Sequence, residues 1–184
     1  MPDRISETLI ARARAGNAAA VGELYELCQD DLFRYLYYRV GDQASAEDLT
    51  SEVFLRIIKG LPGYRQGEVP FKAWIFRIAH NLTVDHYRKE SVRDHIQMDE
   101  KLESDQAGPD KLVEHILDSQ QLAESLEALT ADQREVIIMR FVLDMSIRET
   151  SHSVEKSETA VKAAQRRGLQ ALKRILEERM VING

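Results

Sequence analysis

Residues 71–89 read FKAWIFRIAHNLTVDHYRK. Four of their side chains, Arg77, Asn81, Asp85 and Arg88, follow one another at spacings of four, four and three. On a helix that spacing lines them along one face. Lys72 and His80 flank the row. The segment just before it holds Tyr64 and Arg65, with Gly63 and Gly67 permitting close backbone approach. Aromatic rings and amides beside cations suit unstacked, single-stranded bases, because rings stack on base faces while cations hold phosphates. The same stretch carries Phe71, Trp74, Ile75, Ile78, Ala79 and Leu82 at helical spacing, a face that should meet a core.

A second set lies near the C-terminus, in SETAVKAAQRRGLQALKRIL. Val161, Ala164, Leu169 and Leu172 are its expected inward positions. Lys162, Gln165, Arg166 and Arg167 fall elsewhere, with Lys173 and Arg174 further along. A major groove admits one helix, and Arg, Lys and Gln read base edges or hold phosphates. A solvated basic helix face would look the same in isolation. The histidines offer no comparable pattern. His80 lies five residues from Asp85 and six from His86, and neither spacing aligns two ligands as i, i+4 does. No glycine-rich phosphate loop, nucleophile elbow or cysteine cluster accompanies them, so a metal-dependent enzyme is disfavoured. No cofactor is expected.

The elements that must position these groups are almost all helical. Only four prolines and nine glycines occur in 184 residues, mostly between periodic segments. No run of alternating β-branched residues suggests a strand. A short helix is expected at Leu9–Ala15 and a second after Asn17, ending at Gly41-Asp42. A third is capped by Ser45, with Leu49, Val53, Phe54, Ile57, Ile58 and Leu61 on one stripe. LPGYRQGEVP then forms a loop before the Phe71 helix. Residues 91–109 are polar and acidic and end in Gly-Pro, which marks a linker. Fully extended, that span reaches roughly 60 Å at about 3.3 Å per residue. Beyond it, Leu112, Val113, Ile116, Leu117, Leu122, Leu126 and Leu129 resume helical spacing. Thr130 with Gln133, and Ser146 with Glu149, form two capping boxes, and Ser157 caps a third start. Helices are therefore expected at 131–142, 147–154 and 158–178, and the tight junction before the long basic one reads as a helix-turn-helix. The fold class is all-α, in two small domains: 1–90 and 110–184, joined by the 91–109 linker.

The formal net charge of −6 is unevenly spread. Residues 16–62 carry four positive and eight negative side chains, and residues 91–128 three and ten. Residues 63–90 carry five positive and three negative, and residues 157–184 six and three. The basic segments are thus the two candidate nucleic-acid elements, and the acidity lies outside them. The lone Cys28 sits among helical apolar positions and reads as a small buried hydrophobe. No apolar run is long enough to span a membrane, and the N-terminal stretch has no apolar signal region, so a cytoplasmic protein is expected.

Asp48-Leu49-Thr50-Ser51-Glu52-Val53-Phe54, then FKAWIFRIAHNLTVDHYRK, then LTADQREVIIMRFVLDMSIRET followed by SETAVKAAQRRGLQALK, resemble the sigma-70 family of bacterial transcription initiation factors. The size and two-block layout resemble its small extracytoplasmic-function (ECF) subgroup, as does the lack of a third conserved block in the linker. The resemblance covers roughly residues 15–90 and 115–178. It implies that Asp48, Leu49, Glu52 and Phe54 dock on the basic β′ clamp helices of core RNA polymerase, with β as a further contact. It implies that Tyr64, Arg65, Lys72, Trp74, Arg77, Asn81 and Arg88 meet the melted −10 element and capture a flipped base. It implies that Ser157, Thr159, Lys162, Gln165, Arg166 and Arg167 read the −35 element as duplex. An anti-sigma factor is a further implied partner.

The helix-turn-helix departs from the family pattern. Glu149-Thr150-Ser151 stands where Glu-Ile-Ala is usual, Glu155 occupies the turn position where glycine is usual, and Gly168 replaces an alanine. Two rival readings explain part of the chain. A stand-alone helix-turn-helix regulator accounts for residues 130–178 but not for the acidic stripe before the aromatic basic helix. A helical partner-binding protein that mimics the polymerase surface predicts no DNA contact, against which the Lys162–Arg174 helix argues.

Overall fold

Helix starts follow local capping chemistry. In the computed structural model, which describes residues 5–94 and 122–182, α1 spans Glu7–Arg14 and begins at Ser6, whose hydroxyl accepts from Leu9 N at 3.1 Å. Asn17 caps α2, Ala18–Val40, accepting from Ala20 N at 2.9 Å. Gly41 ends that helix in the left-handed region at φ 75, a conformation glycine adopts without penalty. The α3 cap is Asp42 rather than Ser45: its carboxylate accepts from Ser45 N at 2.7 Å, and α3 runs Gln43–Gly60. Aspartate is as good a cap as serine and lies three residues closer to the preceding turn. These hydrogen bonds from Ser45 hold the Asp42 carboxyl below its ordinary pKa.

A short 3-10 turn, Leu61–Gly63, leads into the loop before α4, Phe71–Asp94. Helix α4 therefore continues through 91–94, into the span expected to be linker; the rest of that span, which includes His95, and residues 110–121 lie outside the described residues. Helix α5 occupies 122–127. Helix α6, Ala131–Ile137, opens on the Thr130–Gln133 capping box and widens into a π turn over Ile138–Val142. Helix α7, Ile147–Val154, opens on the Ser146–Glu149 box, and α8 spans Glu158–Ile182. The Ser157 hydroxyl accepts from Ala160 N at 3.2 Å, as its expected capping role requires. No strand occurs among the described residues.

Helices α1–α4 form one bundle and α5–α8 a second. Leu24, Leu32, Leu36, Ile57, Ile75 and Phe76 are buried in the first; Leu126, Ile138, Met139 and Met145 are buried in the second. The two bundles share one continuous apolar cluster, in which α7 packs along α4. Cys28 is buried, and burial, aided by Asp31, pushes its thiol up to about 12, so it is inert packing.

On α8 the inward stripe is Val161, Ala164 and Gly168, while Leu169, expected inward, is 42% exposed. The reason is steric. A Cβ at 168 would lie 2.8 Å from Ile137 Cγ1, so α6 and α8 touch where only glycine fits. Spacings of three and four bring 161, 164 and 168 onto one face, and 169 turns out of it.

Candidate nucleic-acid interface and the junction that covers it

Helix α3 presents Asp48 and Glu52 to solvent, one turn apart. Glu52 pairs with Arg56 at 2.6 Å along the exposed face. Leu49 and Phe54 point inward instead and are buried; Phe54 packs edge-on against Tyr25 at 4.8 Å between ring centroids. The apolar side chains exposed beside the acidic pair are Leu55 and Ile58. Periodicity could not separate them, because an apolar residue at a helical position fits either face of a wide stripe.

The α4 row is divided by the second bundle. Asn81 and Arg88 are exposed, as is Arg65 in the preceding loop. Arg65 and Arg88 pair loosely with neighbouring carboxylates, Arg65 with Glu68 at 3.6 Å and Arg88 with Asp85 at 3.9 Å. Trp74 is half-buried, stacked near Phe71 and Tyr64. Tyr64 is buried, and its hydroxyl donates to the Val69 carbonyl at 2.8 Å, which closes the loop on itself. Lys72 is only 6% exposed, and its ammonium donates to the Leu143 carbonyl in the turn before α7. Burial lowers the Lys72 pKa, partly offset by Asp31, Glu149 and Asp144. Arg77 forms an ion pair with Glu155, the residue at the helix-turn-helix turn.

Glu155 sits in the left-handed region at φ 53 and closes α7. A side chain there costs on the order of 1–2 kcal/mol relative to glycine. Ser153, on the last turn of α7, is buried and donates to the Ala73 carbonyl of α4 at 3.1 Å. Thr150 is buried and bonds its own helix, Oγ1 donating to the Ser146 carbonyl at 2.9 Å. Both buried polar side chains of α7 are therefore hydrogen-bonded, as burial demands.

A buried carboxylate at the junction, Glu135 of α6, gathers three side chains of the first bundle. Tyr35 of α2 donates its hydroxyl to Oε1. His80 Nδ1 of α4 lies 2.9 Å from the same oxygen, and Arg39 of α2 lies 3.3 Å from Oε2. An ionised carboxylate only accepts, so Nδ1 carries the proton. Burial pushes the Glu135 pKa upward. The His80 hydrogen bond, the Arg39 charge and the Tyr35 hydroxyl outweigh it and hold the carboxyl below its ordinary value. Arg39 also donates to the Ala131 carbonyl at 3.3 Å, while its own carbonyl accepts from Tyr87 and from Arg134. None of Tyr35, Arg39 or Glu135 figured among the expected site residues. The readable signal was a pair of opposite charges, Arg39 and Glu135, each set among apolar helical positions.

The second basic set is open. Ser157, Thr159, Lys162, Arg166 and Arg167 are exposed on the first turns of α8, and Gln165 is half-buried. Gln165 accepts from Arg140 Nε at 2.9 Å, and Arg140 also donates to the Met145 carbonyl. The π turn that carries Arg140 thus ties the basic helix to the turn before α7.

Two family models match this chain in order: Sigma-70 region 2 over residues 24–93 and Sigma-70, region 4 over residues 119–172. The ECF RNA polymerase sigma factor SigX of Bacillus subtilis is 33% identical over 160 residues, which are 84% of this chain and 82% of SigX. The chain belongs to the ECF sigma factors of the sigma-70 family. SigD of Mycobacterium tuberculosis is 36% identical over 174 residues, 91% of this chain and 82% of SigD. BldN of Streptomyces coelicolor, another ECF RNA polymerase sigma factor, is 36% identical over 172 residues; the chain spans 65% of BldN's length. Among solved structures, CnrH in complex with the cytosolic domain of CnrY has a similar fold, with TM-score 0.72 and 23% identity over 93% of this chain and 96% of that one. So does the sigma factor RpoE of Bartonella quintana in complex with the anti-sigma factor NepR, at TM-score 0.73 and 22% identity over 85% and 96%. In this ECF sigma factor, α2–α4 make up most of region 2 and α6–α8 most of region 4. No helix among the described residues is long and apolar enough to cross a membrane.

Proposed function

We propose that this ECF sigma factor binds bacterial core RNA polymerase and directs it to promoters through their −10 and −35 elements. The observation that carries the reading is the presence, in order on one chain, of region 2 with its acidic α3 face and region 4 with its exposed basic α8 face. Asp48 and Glu52 supply the charge that a basic clamp surface on β′ would meet, and complementary charge steers encounter. Leu49 and Phe54 hold α3 in place from inside; Leu55 and Ile58 are the apolar side chains available beside the acids. A further contact with β completes the docking on core polymerase.

For the −10 element, Arg65, Asn81 and Arg88 are accessible as the chain stands, with Trp74 and Arg77 partly so. Lys72 and Tyr64 contribute only after region 4 and the loop move. For the −35 element, Ser157, Thr159, Lys162, Arg166 and Arg167 face solvent at the start of α8, where major-groove contacts are made. The solved relatives of similar fold are complexes with CnrY and with an anti-sigma factor, which supports an anti-sigma partner for this chain as well. The assigned role is recognition in the cytoplasm, with no chemical step and no cofactor of its own.

Gel filtration with purified core polymerase, followed by run-off transcription on a pool of genomic fragments, tests the reading. Co-elution with new, specific transcript starts is expected. Retained duplex binding without polymerase binding would instead identify a stand-alone regulator.

A further inference from the structure

One side of α7, with the turns at its two ends, faces α4 and bonds to it. Ser153 donates across the junction to Ala73, the turn carbonyl of Leu143 takes the Lys72 ammonium, and Glu155 takes the Arg77 guanidinium. Behind them, Glu135 is held by three side chains from region 2. All of these bonds are intramolecular, and the apolar cluster runs unbroken from one region into the other. No bound protein is needed to complete any of them.

We propose that α7 is a latch by which this chain closes itself, and that Glu155 occupies Arg77 as a carboxylate stand-in for a DNA phosphate. The blocking of DNA rests on the reading of α4 given above; the closure does not. Two groups of different strength divide the work. Glu135, Ser153 and Lys72 are buried, so their bonds set whether the chain is closed. The Arg77 and Glu155 side chains are 43% and 51% exposed, so their ion pair adds little to stability. A strained turn that adds little stability is explained by what it displaces: while Glu155 sits on Arg77, an incoming phosphate must compete for that guanidinium. Glycine at the same position would relax the turn and leave Arg77 free.

The latch is tested first without DNA. Small-angle scattering of the full chain alone should give a radius of gyration of about 16 Å, the value for one compact body of this length. Ser153→Arg places a long side chain where no space exists when closed, yet in water when open. That variant should retain its helical circular dichroism and exceed about 20 Å, the size of two separated bodies on a linker. A wild-type chain already above about 20 Å, or a folded Ser153→Arg chain that stays compact, would overturn the latch.

The Glu155 role is tested by affinity for a fluorescent random-sequence single-stranded 12-mer. Glu155→Gln should bind about three- to fivefold tighter than wild type, the scale of an exposed ion pair, while Glu47→Gln, an equal charge change on α3, should match wild type. Equal affinity of Glu155→Gln and Glu47→Gln would overturn the stand-in role. If Ser153→Arg opens and the oligonucleotide binds neither it nor any other variant, the latch holds and the reading of α4 as a DNA face fails.

Discussion

Replacing Glu135 by glutamine removes one charge at nearly constant volume and isolates the value of the buried junction. The Arg39 side chain opposite is 4% exposed, and its Nε already lacks a partner. Without the carboxylate, the guanidinium is left buried and unpaired, and breaking such a pair costs about 3–5 kcal/mol. The protein has an escape that a single-domain core lacks. If the regions separate, water reaches Arg39, so the loss is capped at the free energy of closure. The expected result is therefore uncoupling rather than collapse. In urea, wild type should unfold with coincident transitions by Trp74 fluorescence, which reports region 2, and by helical circular dichroism, which reports both regions. In Glu135→Gln the curves should separate. With a slope of about 2 kcal/mol per molar urea, the less stable region should melt about 1.5–2.5 M earlier. Coincident curves with a midpoint within about 0.3 M of wild type would refute the reasoning, since Arg39 would then find its stabilisation elsewhere.

Closure should also depend on pH through the same carboxyl. The Glu135 pKa is lowered in the folded chain, so its contribution is fully present above the ordinary glutamate value of about 4.3 and is lost as pH falls through the lower folded value. Scattering should show compact chains at neutral pH and opening only in acid below that value; opening between pH 7 and 5 would contradict it. Asp48→Lys with Glu52→Lys should abolish co-elution with core polymerase while shifting stability by under about 1 kcal/mol, because only an exposed i, i+4 pair with Arg56 is lost. Arg166→Ala with Arg167→Ala should weaken −35 duplex binding and reduce its salt dependence, leaving polymerase binding intact, as a filter-binding salt titration would show. Gly168→Ala should destabilise region 4 by about 1–3 kcal/mol in thermal melts, because the new Cβ overlaps Ile137. Pairing it with Ile137→Val should recover part of the loss.

What the sequence determined by itself was local. Both capping boxes, the caps at Asn17 and Ser157 and the stop at Gly41 stand where their residue types put them. Each is a bond between positions three or four apart, so neighbouring residues suffice to specify it. The all-α class followed from the same short-range grammar, the order of the two regions from the family resemblance, and the acidic and basic segments from composition.

The tertiary structure decided what each of those faces meets. Lys72 reads as a DNA-facing cation, yet it is buried against Leu143 from a segment far along the chain. Leu169 reads as an inward residue, yet Gly168 takes that place because Ile137 approaches too closely for a Cβ. Glu155 reads as a flaw in a turn until Arg77 is seen beside it. Tyr35 and Glu135 are 100 positions apart, and no periodicity within either helix says that their faces will touch. Side-chain spacing fixes which residues share a face. Which face is covered, and by what, depends on the pose of whole helices, set by the summed packing of side chains from every element at once.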